Sequence, residues 1–148
     1  EIESQEGDSH NITILRQEVR KARQQTNGVL GVNIMVAIRE FTETARAAIE
    51  EGVDVIFAGA GLPLNLPACL TEQAKTKLVP IVSSAKAARL IAKRWMSRYH
   101  YAPDAFVLEG PKAGGHLGFA LEEIDQPAYQ LEALLPQVRA VPAGHPLG

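Results

Sequence analysis

Four apolar runs recur at a nearly constant spacing, and that rhythm constrains the fold more than any other feature. They are Val29 to Val36 (VLGVNIMV), Val53 to Ala58 (VDVIFA), Leu78 to Ser83 (LVPIVS) and Asp104 to Glu109 (DAFVLE). Their starts at 29, 53, 78 and 104 are separated by 24, 25 and 26 residues. Each run is short, rich in Val and Ile, and continuous rather than alternating. That is the pattern of parallel strands covered on both faces. Parallel neighbours need crossovers, and helical patterns fill the gaps. Ile12, Leu15, Val19 and Ala22 share one helical face; Phe41, Ala45, Ala48 and Ile49 share another. Leu66 to Lys75 is helix-compatible, with Pro67 suited to a first turn. Ala85, Ala88, Ala92 and Trp95 line a further helix, with Ser83 or Ser84 as its N-cap. Leu131, Leu134, Leu135 and Val138 predict a last helix, against which Pro136 argues. The class is α/β.

Two architectures fit. A doubly wound, flavodoxin-like sheet closes with about five strands. A (β/α)8 barrel needs about 250 residues, so 148 residues are a partial barrel of about four βα units. Where the rhythm calls for a fifth strand, near 130 to 142, the chain instead reaches RAVPAGHPLG, with Pro142 and Pro146 and no apolar run. A helix also precedes the first strand. Both ends therefore read as cut, and 1–148 reads as one partial barrel domain with an atypical tail from 136.

Charge and composition exclude several classes. Fifteen basic and 17 acidic residues give a net charge of −2, with no basic run to bind nucleic acid or an anionic membrane. No apolar stretch approaches the roughly 18 residues of a membrane span, and no signal peptide is visible in the polar opening. Cys69 is the single cysteine, which rules out an internal disulfide framework. A cytoplasmic protein is expected. Cys69 itself reads as a small buried hydrophobe. His10, His100 and His145 show no ligand spacing, so no metal is expected. Lys93, Arg94 and Arg98 read as the wet face of the Trp95 helix.

The densest chemical signal is Glu109 to Phe119, EGPKAGGHLGF. It begins at the C-terminal end of the fourth run, the functional edge in both architectures. Its glycines admit backbone close to a ligand, and successive N–H groups in such a loop can cradle an anion. His116 sits among them, with the side chain best matched to proton transfer near neutrality. A wide surface turn is the bland alternative for the glycines, but a histidine between them is harder to explain as packing. The loop fits neither GxxxxGK[ST] nor a GxGxxG following a strand, which argues against a P-loop NTPase and a standard dinucleotide site.

The other strand ends add to this. Asn33, inside an apolar run, needs hydrogen-bond partners in protein or ligand. Gly59, Ala60 and Gly61 either leave room for a flat ligand or make a tight turn into Pro63. Ser83 and Ser84 read as helix caps, with phosphate binding at the helix start as the alternative. Lys86 reads as solvated. Glu109 either accepts hydrogen bonds from ligand hydroxyls or a ring N–H, or braces the glycine loop. Small or polar groups at all four strand ends describe one pocket at one sheet edge.

In order and spacing, GVNIMVA, VDVIFAGAGLPLNLP, PIVSSAKAARLIAKRW and PDAFVLEGPKAGGHLGF resemble the nitronate monooxygenase (2-nitropropane dioxygenase) family, which includes the flavin-type enoyl-acyl-carrier-protein reductases. The resemblance covers about residues 12 to 135, and the AGGHxG loop is its most specific part. It implies a (β/α)8 TIM barrel with FMN at the C-terminal strand ends. It implies that Asn33, Glu109, Gly114 and Gly115 contact FMN and that His116 is catalytic. At the place of Glu109 the family often has Gln, and at that of Lys112 many members have Glu. The implied activity is oxidation of alkyl nitronates or nitroalkanes with O2 to a carbonyl compound and nitrite. An enoyl thioester reductase using NAD(P)H is the first alternative, and an inactive fragment or non-catalytic interaction module is the second. Family members have one strand before this stretch and three after it, with the loops that hold the FMN phosphate. The fragment alone is therefore expected to bind FMN weakly or not at all. Its open strand edges predict self-association.

Overall fold

The computed structural model describes residues 9–142. Residues 143–148, which hold His145 and Pro146 of the tail, lie outside the described residues. Four strands form one parallel sheet, β1 (Gly31–Met35), β2 (Val55–Gly59), β3 (Lys77–Val82) and β4 (Val107–Leu108). Their spatial order is β1-β2-β3-β4, the same as their order along the chain. A doubly wound sheet reverses direction at a switch point. The sequential order excludes that alternative and gives an arc of a (β/α)8 barrel.

The helices are α1 (His10–Gln25), α2 (Phe41–Glu50), α3 (Ala85–Tyr99) and α4 (Leu131–Arg139). Ser9 caps α1 by accepting from Ile12 N, and Ser84 caps α3 by accepting from Ala87 N at 3.2 Å. Of the two serines only Ser84 caps. The α3 helix ends on His100 in the left-handed region, φ 52°. Pro136 lies inside α4, so the apolar face of Leu134 and Val138, both buried, outweighs the missing N–H. The stretch from Leu66 to Lys75 corrects the helical expectation, because only a 3-10 turn, Leu66–Cys69, forms. The fourth strand is also shorter than its apolar run, because Val107–Leu108 alone pairs with β3.

The expectation of strands covered on both faces holds fully for the helix face and only in part for the other. Ile34, Ile56, Ala58, Leu78 and Val82 point to the helices and join Ala45, Ala48, Ile49, Ala88, Ile91 and Trp95 in the core. Fully burying an aliphatic side chain of this size stabilises by about 1.5–3 kcal/mol. Alternate residues point to the barrel interior, and there Asn33 is exposed and Met35 and Val107 are 39% and 37% exposed. In a closed barrel that face is packed by the opposite strands. Continuous hydrophobicity reports a barrel strand here; the helix side is buried, while on the barrel side Val79 of β3 is buried and the flanking β1 and β4 stay open.

The N-terminal ends of the strands carry a repeated brace. Asp54 takes the N–H of Leu30 on Oδ2 at 2.7 Å and returns its own N–H to the Leu30 carbonyl at 2.8 Å. Asp104 does the same with Leu78, at 2.8 and 3.1 Å. Arg23 joins Asp54 at 2.8 Å, and Tyr101 donates to Asp104. The Arg23 hydrogen bond, followed by that of Leu30, lowers the Asp54 carboxyl from its ordinary value. These pairs fix the strand starts at the end of a barrel associated with stability. Outside them, Arg16 and Arg20 tie α1 to α2 through Glu50 and Glu51. Among the described residues no helix is long and apolar enough to cross a membrane.

Candidate functional site

The opposite, C-terminal strand ends converge on a cleft of about 380 Å3. Its walls come from the loop after β2 (Ala60, Gly61, Leu62), the end of β3 and start of α3 (Ile81 to Ser84, Ala87), the residue after β4 (Glu109), and the glycine loop (His116, Leu117, Gly118). A larger apolar hollow of about 590 Å3 lies elsewhere, between β4 and α4. It holds no acid, base or nucleophile apart from Arg139, so the chemistry belongs to the first cleft.

The strand ladder sets the floor of the cleft. Val82 pairs with Leu108, and Glu109 N donates to the Val82 carbonyl at 2.8 Å. The next residue of β3, Ser83, therefore stands beside Glu109. Its hydroxyl donates to Glu109 Oε2 at 3.3 Å. Alternation places Ser83 on the same face as Ile81, the barrel-mouth side, while Ser84 turns away to cap α3. That alternation is the sequence signal that separates the two serines.

The glycine loop then folds over this floor. A Cβ on Gly118 would lie 2.3 Å from Ser83 Oγ, so only glycine lets the loop descend onto Ser83. Gly115 has φ +79°, a turn that favours glycine and comes immediately before His116. Gly114 faces open space. Ala60, with φ 53°, is an L-residue held in the left-handed region on the opposite wall, a strain that clusters at functional sites. Behind that wall, buried Trp95 donates from Nε1 to the Pro63 carbonyl at 2.9 Å and anchors the loop after β2 to α3.

The structure thus brings Glu109 and His116 into one cleft and carries Gly114 and Gly115 in the loop beside it. It does not bring Asn33 there. Asn33 is level with Phe57, and Phe57 with Val79, on the exposed barrel side of β1. It stands three strands from β4, roughly 14 Å at about 4.8 Å per strand. Ser83 and Ala60 are the wall residues whose roles the sequence left open or unread. Cys69 is buried, its thiol held above the ordinary value chiefly by burial, and Lys86 is exposed. Among the described residues no group of His, Cys, Asp and Glu is placed to hold a metal ion.

Comparison with known proteins agrees with this arrangement. Residues 6–143 match the family model described as nitronate monooxygenase. FabK from Thermotoga maritima is similar at 27% identity and a TM-score of 0.72, over 93% of this chain and 39% of that one. A FabK mutant from the same organism is similar at 28% identity and a TM-score of 0.71, over 88% of this chain and 39% of that one. The chain spans about two fifths of the length of these structures. No curated protein matches it. A sequential parallel arc, a histidine-bearing glycine loop at its C-terminal edge and a family match over nearly the whole chain lead to one assignment: the chain belongs to the nitronate monooxygenase family.

Proposed function

We propose that the cleft of Ser83, Glu109 and His116 is the ring-binding part of an FMN site, and that the full-length protein is an FMN-dependent oxidoreductase acting on nitronates. The observation that carries this reading is the pairing, in one cleft, of an imidazole with a carboxylate whose Oε1 has no partner among the described residues. A flat ring system needs apolar walls, close backbone and few, well-placed polar contacts. Ala60, Gly61, Ile81, Leu117 and Gly118 supply the walls, and Glu109 supplies an acceptor for a ring N–H. No lining residue is Lys or Arg, so these residues suit the uncharged ring rather than a phosphate.

When bound, FMN supplies the redox chemistry that side chains lack. The residues of this chain do the rest. A neutral imidazole nitrogen of His116 accepts the α-proton of a nitroalkane and leaves the nitronate in the cleft. The Gly115 turn and the seat of Gly118 on Ser83 hold that imidazole at the rim. Glu109 orients the ring edge, and Asn33 offers an amide contact from the barrel face of β1, outside this cleft. Gly114 and Gly115 leave backbone N–H groups open to the ligand. Overall, two nitronates and one O2 become two carbonyl compounds and two nitrites.

A second reading has specific support, because the similar structures are FabK, a flavin-type enoyl-acyl-carrier-protein reductase. The same cleft would then take an enoyl thioester, with NAD(P)H as reductant. Two assays on the full-length protein separate the readings. Oxygen uptake with a nitronate, and no thioester-dependent NADH loss, supports the first. NADH-dependent loss of an enoyl thioester without nitronate-driven oxygen uptake replaces it with the second.

A further inference from the structure

We propose that Ser83 is a positioning residue for the cofactor cleft. It holds Glu109 by one carboxylate oxygen so that the other is presented to the ligand. This inference rests on the reading of the cleft as an FMN site, and it assigns a role to a residue that takes no part in the chemistry described above.

Three observations point the same way. First, the hydroxyl is committed to Glu109. The adjacent Ser84 satisfies the α3 N-terminus through Ala87 N, so capping makes no demand on Ser83. Its hydroxyl donates to Glu109 Oε2 at 3.3 Å. Second, that contact divides the carboxylate. Oε2 is engaged, and Oε1 has no partner among the described residues. A glutamate has three side-chain torsions, and ordering such a side chain costs up to about 2 kcal/mol of rotamer entropy. A donor that fixes one oxygen before binding removes part of that cost from the ligand. Third, the same side chain supports the catalytic loop. Gly118 sits so close that an added Cβ would fall 2.8 Å from Ser83 Cβ and 2.3 Å from its Oγ. Ser83 therefore sets the height of the loop two residues from His116 and the direction of Glu109 together.

The two roles are separable by substitution. Ser83→Ala removes the Oγ that both holds Glu109 and lies nearest Gly118, so the Glu109→Ala background separates them: a loop effect persists there and a positioning effect does not. A double-mutant cycle on FMN affinity in the full-length protein, with Ser83→Ala, Glu109→Ala and the pair, isolates the positioning term. Ser83→Ala is expected to raise the FMN Kd about five- to tenfold, the usual weight of one ordinary hydrogen bond. In the Glu109→Ala background it is expected to change nothing. Equal losses in both backgrounds, or none in the wild-type background, overturn the proposal. The bound-flavin absorption spectrum gives a second readout, expected to shift in Ser83→Ala toward that of Glu109→Ala and not toward that of His116→Asn. If the wild-type protein binds no FMN, the reading of the cleft fails. Crystal structures of wild type and Ser83→Ala then decide the positioning claim alone. A Glu109 side chain that swings away in the variant upholds it, and an unmoved one refutes it.

Discussion

Ser83 Oγ donates to Glu109 Oε2 across 3.3 Å, joining the residue that follows β3 to the residue that follows β4 at the barrel mouth. Gly118 rests on Ser83 of this pair, with no room for a Cβ. The first expectation follows from that contact. Gly118→Ala must lift the loop or displace Ser83, an overpacking cost of about 1–3 kcal/mol. Because the loop moves with His116, turnover should fall by more than stability. Urea unfolding and steady-state turnover on the same preparation check this; wild-type values in both would show that the contact is slack.

Ala60 holds φ 53° beside Gly61. A left-handed L-residue costs about 1–2 kcal/mol. Ala60→Gly relieves that cost but gives the unfolded chain more freedom, so a net gain of up to about 1 kcal/mol is expected. Ala60→Val should lose more than that, since β-branching worsens the same torsion. Thermal denaturation of the two variants should move in opposite directions.

Trp95→Phe tests the anchor behind the cleft. It keeps most of the ring but removes the 2.9 Å donor to the Pro63 carbonyl, which retains only Leu66 N at 3.2 Å. Losing one such hydrogen bond costs about 0.5–1.5 kcal/mol. Urea unfolding should show a loss in that range.

Acid should loosen the joint between α1 and α2. The Glu51 carboxyl lies below its ordinary value, chiefly through the hydrogen bond from Arg20, with Arg16 adding to it. A carboxyl lowered in the folded state stabilises fully above its unfolded pKa, about 4.3, and that contribution fades as pH falls through the folded value. Stability should therefore drop below about pH 4–5. Glu51→Gln should lower stability at pH 7 and flatten this acid limb in pH-dependent unfolding curves.

Much of this was legible because its causes are local. The 24-to-26-residue rhythm reports one strand plus one crossover, and the structure keeps it. Ser84 and Gly115 are set by torsions and caps within a few residues. The stretch from Leu66 to Lys75 is different. Its apolar residues suit a helix, yet Leu66 and Cys69 are buried after a single 3-10 turn, and Thr76 is already tied to the Val53 carbonyl at 2.8 Å. That tertiary tie starts β3 before a helix can finish. The Ser83–Glu109 contact was likewise unreadable in detail, because it depends on the register between two strands 26 residues apart. Alternation places Asn33 on the barrel face of β1, but its distance from His116 depends on sheet order, which spacing alone left between two architectures.

The central claim is that His116 and Glu109 share one flavin cleft and divide its work. Its most direct test measures FMN affinity and nitroalkane turnover together in full-length wild type, His116→Asn and Glu109→Ala. His116→Asn should keep FMN affinity within about twofold and lower turnover by about 10²–10⁴, while Glu109→Ala should weaken FMN binding about tenfold or more. Wild-type turnover in His116→Asn, or unchanged FMN affinity in Glu109→Ala, would contradict it.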